Sequence, residues 1–333
     1  MNPLSKVALG KTSVFVTRLG LGGSALGGLY QDISDETAIA LVHHVLELGI
    51  NFIDTAPLYG HGKSELRLGS ALRGAQRSSY VLATKVGRLL IPEHPAKVES
   101  IWFDNPPPFL PVFDFSYDGV MRSFEESLTR LGLKAVDILH IHDPDEAYAD
   151  VIQGAYPALH ELRRQGHVKA IGVGMNQAEM LVRFANECEF DCFLLAGRYT
   201  LINQDALKEL LPLCLRKQIS VILGGPYNSG ILATGAIAGA KFNYSNAPSE
   251  LLERVRQIEK VCSRHSVPLK AAALQLPLAH PAVASVIPGA RSVAEVEENF
   301  RMMSVPIPDG FWKELRERQL LPEAAPTPSC SAA

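Results

Sequence analysis

The sequence predicts a (β/α)8 TIM barrel with an N-terminal β-hairpin cap, and three observations carry that prediction. Helical and strand-like segments alternate along the chain, which argues for a parallel sheet. The strand segments are continuous apolar runs, as expected where both faces are buried. Eight such units fill about 300 residues, a length that suits a closed barrel better than an open sheet. No linker or shift in composition divides the chain, so residues 1–321 are expected to form one domain. The Pro- and Ala-rich segment 322–333 is expected to be a disordered tail.

Lys6–Leu19 predicts two short strands around Gly10-Lys11, a hairpin ahead of the main fold. Gly20-Leu21-Gly22-Gly23-Ser24-Ala25 follows and matches the glycine fingerprint of a dinucleotide-binding Rossmann turn. That fingerprint requires an amphipathic helix starting within the glycines. Here helical spacing begins only near Asp35, so the Rossmann reading is set aside and Leu19–Gly22 is counted as the first barrel strand.

Helical periodicity then predicts helices over 37–48, 64–72, 119–131, 156–165, 178–187 and 205–217, followed by 249–265, 270–279, 293–303 and 310–319. Between them lie predicted strands at 51–54, 80–85, 136–142, 168–174, 191–197, 219–224 and 283–288. Two long connections interrupt the alternation. Residues 88–118 hold Pro106-Pro107-Pro108 and six aromatic residues, including Trp102 and Phe113; the second connection is 225–248. Loops of this length in a compact domain are usually functional, and we expect both to wall a pocket.

Composition narrows the function. A net charge of −3 without a basic block argues against nucleic acid. No apolar run approaches the roughly 18 residues of a membrane span. The first residues lack the apolar core of a signal peptide, and the five cysteines form no zinc pattern, so we expect reduced thiols in a cytoplasmic protein.

Four polar residues fall at or just beyond strand ends: Asp54, Tyr59, Lys85 and His142. In a barrel these ends share one mouth, so residues far apart in sequence can converge. A lysine near a tyrosine is expected to stabilise the phenolate and lower its pKa from about 10. An aspartate would hold that lysine charged, and a histidine would position a carbonyl or hydroxyl oxygen. A rival from another class is a metal-dependent hydrolase, because His140 and His142 form His-x-His on one strand face. Strands five to eight end on Gly174, Gly197, Gly224 and Pro288, none of them ligands. We therefore expect no metal, with His140 a polar residue inside the barrel.

The segments GINFIDTAPLYG, GKSE, ATKVG, VDILHIHD, IGVG and IPGARSVAEVEEN resemble the aldo-keto reductase superfamily, in the same order over nearly the whole chain. Within it, VFDFSYDGVMRSFEESL, GMNQ and AGRYTLINQ are most similar to the aldose 1-dehydrogenases of the D-threo-aldose or L-fucose type, near the L-galactose and pyridoxal dehydrogenases. The resemblance implies Asp54, Tyr59, Lys85 and His142 as the catalytic set and a nicotinamide dinucleotide as cofactor. The substrate it implies is a small aldose, oxidised at its anomeric carbon, with Trp102 and Phe113 lining the pocket beside Tyr59 and His142; pyridoxal or a general aldehyde is the alternative. It further implies cofactor contacts at Gly22, Asn176, Arg198, Gly224, Pro226, Ile287, Gly289, Arg291, Glu295, Glu298 and Asn299. A third reading, a cofactor-binding subunit without turnover, conflicts with the complete catalytic set.

This sequence departs from the family pattern at several of these positions. Gly174-Met175-Asn176 replaces the usual Ser-Asn, Ala196 the usual glutamine, and Gly224 an aromatic residue that stacks on the nicotinamide. Gly289 and Glu295 stand where many NADP-using members have lysine and arginine. A carboxylate there repels a 2′-phosphate and favours NAD, while Arg291 leaves NADP open. Neither the particular aldose nor the oligomeric state follows from the sequence.

Overall fold

The computed structural model describes residues 1–329. Eight parallel strands form the barrel: β1 (Leu21–Gly22), β2 (Phe52–Asp54), β3 (Val81–Val86), β4 (Ile138–His142), β5 (Ala170–Met175), β6 (Cys192–Ala196), β7 (Ser220–Gly224) and β8 (Val283–Ile287). Adjacent strands pair in this order. The seam between β8 and β1 is joined by two parallel bridges, Leu19 with Val286 and Gly22 with Gly289. Backbone bonds from Gly20 N to Val286 O (2.9 Å) and Gly22 N to Pro288 O (3.0 Å) hold it.

Helices cover the outside. They are α1 (Asp35–Glu47), α2 (Lys63–Ala71), α3 (Tyr117–Leu131), α4 (Tyr156–Arg164), α5 (Ala178–Glu187) and α6 (Leu210–Lys217), then α7 (Ser249–His265), α8 (Leu269–Gln275), α9 (Val293–Ser304) and α10 (Asp309–Glu317). Side-chain caps from Ser34, Ser116 and Ser292 start α1, α3 and α9. No helix among the described residues is long and apolar enough to cross a membrane.

The expected hairpin is present, Lys6–Ala8 against Phe15–Thr17, and it closes the bottom of the barrel. Leu9, Val14 and Val16 are buried there against Phe52, Ala83, Ile138, Ala170 and Ile222. Asn51 ties it to β2, accepting from Thr17 N at 2.8 Å and donating to Phe15 O at 2.9 Å.

Several expectations need correction. Residues 88–118 are not an irregular loop: Arg88–Pro92 pairs with Phe109–Phe113 in an antiparallel hairpin. Its prolines hid it, since a proline in a strand removes a ladder donor. The 205–217 segment is a 3-10 turn (Asp205–Leu207) followed by α6. The 270–279 helix ends at Gln275, and a separate 3-10 turn at Pro277–Ala279 follows because proline cannot continue the ladder. Residues 225–248 hold a four-residue helix (Ile231–Thr234) and a two-residue strand pair. The tail is not disordered over 322–329. Ala325 is buried, and Arg316 Nη2 donates to Ala325 O (2.8 Å) and Thr327 Oγ1 (3.1 Å). The rest of that segment lies outside the described residues.

Candidate active site

Asp54 ends β2 and Lys85 sits one turn of pleat before the end of β3; both are about 1% exposed. Lys85 Nζ donates to Asp54 Oδ2 (2.7 Å) and Oδ1 (2.9 Å), to Thr55 O (2.8 Å) and to Tyr59 Oη (3.0 Å). Four oxygens thus surround the amine. Burial alone pushes the Asp54 carboxyl up and the Lys85 ammonium down, and each charge opposes the shift in the other.

The glycine stretch after β1 has a role other than binding phosphate. It forms only a 3-10 turn, Ala25–Gly27, laid directly on the Tyr59 loop. A Cβ on Gly27 would overlap the Tyr59 carbonyl carbon, and one on Gly60 (φ +62°) would overlap Gly27 O. Ser64 Oγ donates to Gly23 O and shares a bond with Thr55 Oγ1, each at 2.8 Å. Tyr59 is thereby fixed from two sides.

His142, at the end of β4, is 6% exposed and meets the Tyr59 ring edge to face, with centroids 5.8 Å apart. Burial, Lys85, Arg88 and His140 hold it well below the usual histidine range, so the ring is neutral. Its Nδ1 is buried without a protein partner. The Tyr59 phenol is the surprise. Burial first, then Asp54, Tyr244 and Asp143, push it well above its ordinary value, and Arg88 only partly opposes them. The expected lowering by Lys85 is corrected: desolvation and the adjacent carboxylate outweigh the cation.

His140 lies one layer deeper, fully buried, with Nε2 3.5 Å from Cys192 Sγ, and burial lowers its pKa to about 3. Gly172 makes room for its ring. Among the described residues no group of three His, Cys, Asp or Glu is arranged to hold a metal ion.

The Aldo/keto reductase family matches residues 18–319. The chain is an aldo-keto reductase. It is 40% identical to a pyridoxal 4-dehydrogenase from Microbacterium luteolum, covering 95% of this chain and 98% of that protein. It is 37% identical to a D-threo-aldose 1-dehydrogenase from a Pseudomonas species, covering 92% and 95%. A solved aldo-keto reductase from Bacillus halodurans, in its holo form, shares the fold with a TM-score of 0.75 at 24% identity over 99% of each chain.

Aldo-keto reductases use a nicotinamide dinucleotide. The mouth of this one fits such a group. Bare glycine backbone borders it at Gly22, Gly197, Gly224 and Gly225, and Asn228 Oδ1 is buried there without a protein partner. Gly22, Ile287, Gly289, Arg291 and Glu295 gather at the β8–β1 seam and the start of α9. Glu295 Oε2 accepts from Arg291 N at 2.8 Å, and Ser292 Oγ accepts from Glu295 N, a reciprocal cap of α9. Asn299 Oδ1 accepts from Tyr227 Oη at 2.6 Å, joining α9 to the loop that begins at Gly224 and Pro226. Glu298 is tied instead to Lys270 (2.6 Å), and Arg198 to Asn243 (2.9 Å). Asn176 follows β5 and is partly buried.

Trp102 is 39% exposed and packs 6.2 Å from Tyr244, and Phe113 carries the Arg88 guanidinium 3.8 Å above its ring. The ring beside Tyr59 is Phe103, at 6.4 Å. Arg88, Phe103, Tyr227 and Tyr244 lie in the two connections expected to wall a pocket but are not singled out there, and Asp143 is not named. Only Asp143, directly after His142, carried a positional signal.

Proposed function

We propose that this aldo-keto reductase oxidises the anomeric carbon of a small aldose to the lactone, with NAD as cofactor and the four strand-end residues as its catalytic set. The observation that carries the reading is Lys85 bonded to both Asp54 and Tyr59, with His142 against the Tyr59 ring. Tyr59 takes the proton from the anomeric hydroxyl as hydride leaves the same carbon. Lys85 stabilises the phenolate form of Tyr59 that accepts this proton, Asp54 orients Lys85, and neutral His142 holds the reacting oxygen. The bound dinucleotide supplies the hydride acceptor. Gly22, Asn176, Arg198, Gly224, Pro226, Ile287, Gly289, Arg291, Glu295, Glu298 and Asn299 would hold it.

NAD is preferred because Glu295 both caps α9 and lies 3.7 Å from the Arg291 guanidinium. The cation that a 2′-phosphate would need is already neutralised.

The relative named pyridoxal 4-dehydrogenase favours a second reading. Pyridoxal, an aldehyde flanked by a hydroxymethyl group, closes in water to a cyclic hemiacetal, and its oxidation also gives a lactone. The same proton and hydride positions serve both substrates. Initial rates with L-fucose, D-arabinose, L-galactose, L-xylose and pyridoxal, each with NAD and NADP, decide between them. Failure to oxidise any sugar would remove the aldose reading.

A further inference from the structure

Asp143 follows His142 directly, yet it does not point away along the loop. Its backbone is left-handed (φ +45°), and its N–H donates to Gly174 O at 2.9 Å. That turn brings Oδ2 back to 3.5 Å from His142 Nε2. Arg88 Nη2 meets the same oxygen at 3.1 Å. Arg88 is itself fixed: it is 12% exposed, it stacks on Phe113, and Ser123 Oγ bonds its carbonyl at 2.9 Å. Its Nε is buried without a protein partner.

We propose that Asp143, held by Arg88, determines specificity by accepting a hydrogen bond from the hydroxyl on the carbon next to the reacting one. The inference rests on the hydride-transfer site proposed above. With the hydrogen on Nε2, His142 donates to the reacting oxygen. Asp143 Oδ2, 3.5 Å from Nε2, stands within reach of an oxygen on the carbon next to the reacting one. Asp143 is thus the acceptor for the second oxygen of a vicinal pair. Burial pushes the Asp143 carboxyl up, and the Arg88 guanidinium opposes that rise.

The competing account is that the pair only anchors the 88–113 hairpin to the end of β4. A partly buried ion pair contributes little net stability, because desolvation offsets its attraction. Anchoring would also be blind to the substrate. A site built to bond a hydroxyl rejects the analogue that lacks it, because its polar group is then left unpaired.

The test is a residue-by-hydroxyl cycle in the reducing direction, using glyceraldehyde and its 2-deoxy analogue 3-hydroxypropanal with NADH. The variants are Asp143→Gly, which removes the acceptor without straining a left-handed backbone, and Arg88→Met. Wild type should favour glyceraldehyde in kcat/KM by roughly 10- to 100-fold, the range for a hydrogen bond to a charged group. The preference should fall to near unity in Asp143→Gly and part-way in Arg88→Met. Asp143→Asn, which tolerates the same backbone and keeps an acceptor without its charge, should cut the preference below roughly 10-fold and serves should the glycine variant fail to fold. A wild-type ratio near one, or a ratio unchanged when both substrates slow equally, would overturn the proposal. Because simple aldehydes are used, a failure of sugar oxidation bears on the aldose reading and leaves this ratio informative.

Discussion

Lys85 Nζ stands 3.0 Å from Tyr59 Oη and 4.5 Å from the centre of the same ring. The ammonium therefore touches both the oxygen that changes protonation and the π-face beneath it. Two of its remaining contacts are the oxygens of Asp54. Proton exchange at Tyr59 follows from this arrangement. Tyr59→Phe should lower turnover by roughly 10²–10⁴. Cofactor affinity, followed by fluorescence titration, should be retained. Near-normal turnover would remove Tyr59 from the reaction.

The pH dependence follows from the raised phenol. Tyr59 is protonated at neutral pH, and oxidation needs it deprotonated, so oxidation should climb throughout about pH 6 to 10 without reaching a plateau near neutrality. Aldehyde reduction uses the protonated form and should be flat or fall over that range. Burial and the nearby Lys85 and Arg88 hold His142 well below the usual histidine range, so it should add no break near neutrality. Lys85→Met should push the oxidation limb further to the alkaline side. An early plateau in kcat that keeps a solvent isotope effect, so that proton transfer and not cofactor release limits the rate, would contradict this balance of burial against charge.

Gly27→Ala tests the contact between the first two loops. The added methyl overlaps the Tyr59 backbone, and relieving it costs about 1–3 kcal/mol of stability. A shift of Tyr59 by even about 1 Å should slow turnover near 10²-fold. Cofactor binding should be little changed. A variant with wild-type kcat would show that Tyr59 is positioned by Lys85 alone.

Cofactor choice can be separated from helix capping. Glu295→Gln keeps a cap at the start of α9 but removes the charge facing Arg291. It should raise kcat/KM for NADP relative to NAD, and Glu295→Arg should raise it further while losing thermal stability. An unchanged ratio in both variants would place the selectivity elsewhere on the adenosine side.

Exhaustive chelation should leave activity intact, because His140 bonds toward Cys192 and not toward a third ligand. Loss on chelation with recovery on adding zinc would revive the hydrolase chemistry.

The sequence by itself determined the barrel, the hairpin cap and the four strand-end residues. Those follow from local periodicity and from one topological rule, that the ends of parallel barrel strands share a mouth. The hairpin at Arg88–Phe113 escaped because its prolines mask strand pattern. The packing of Ala325 escaped because a short Pro- and Ala-rich tail has no periodicity to read. Tertiary structure alone decided the direction of the Tyr59 shift, since burial is a property of all its neighbours. It alone placed Phe103 against that ring. It also brought Arg88 to Asp143 across 55 positions. Contacts of this kind depend on where separate strand ends meet in space, which residue order does not encode locally.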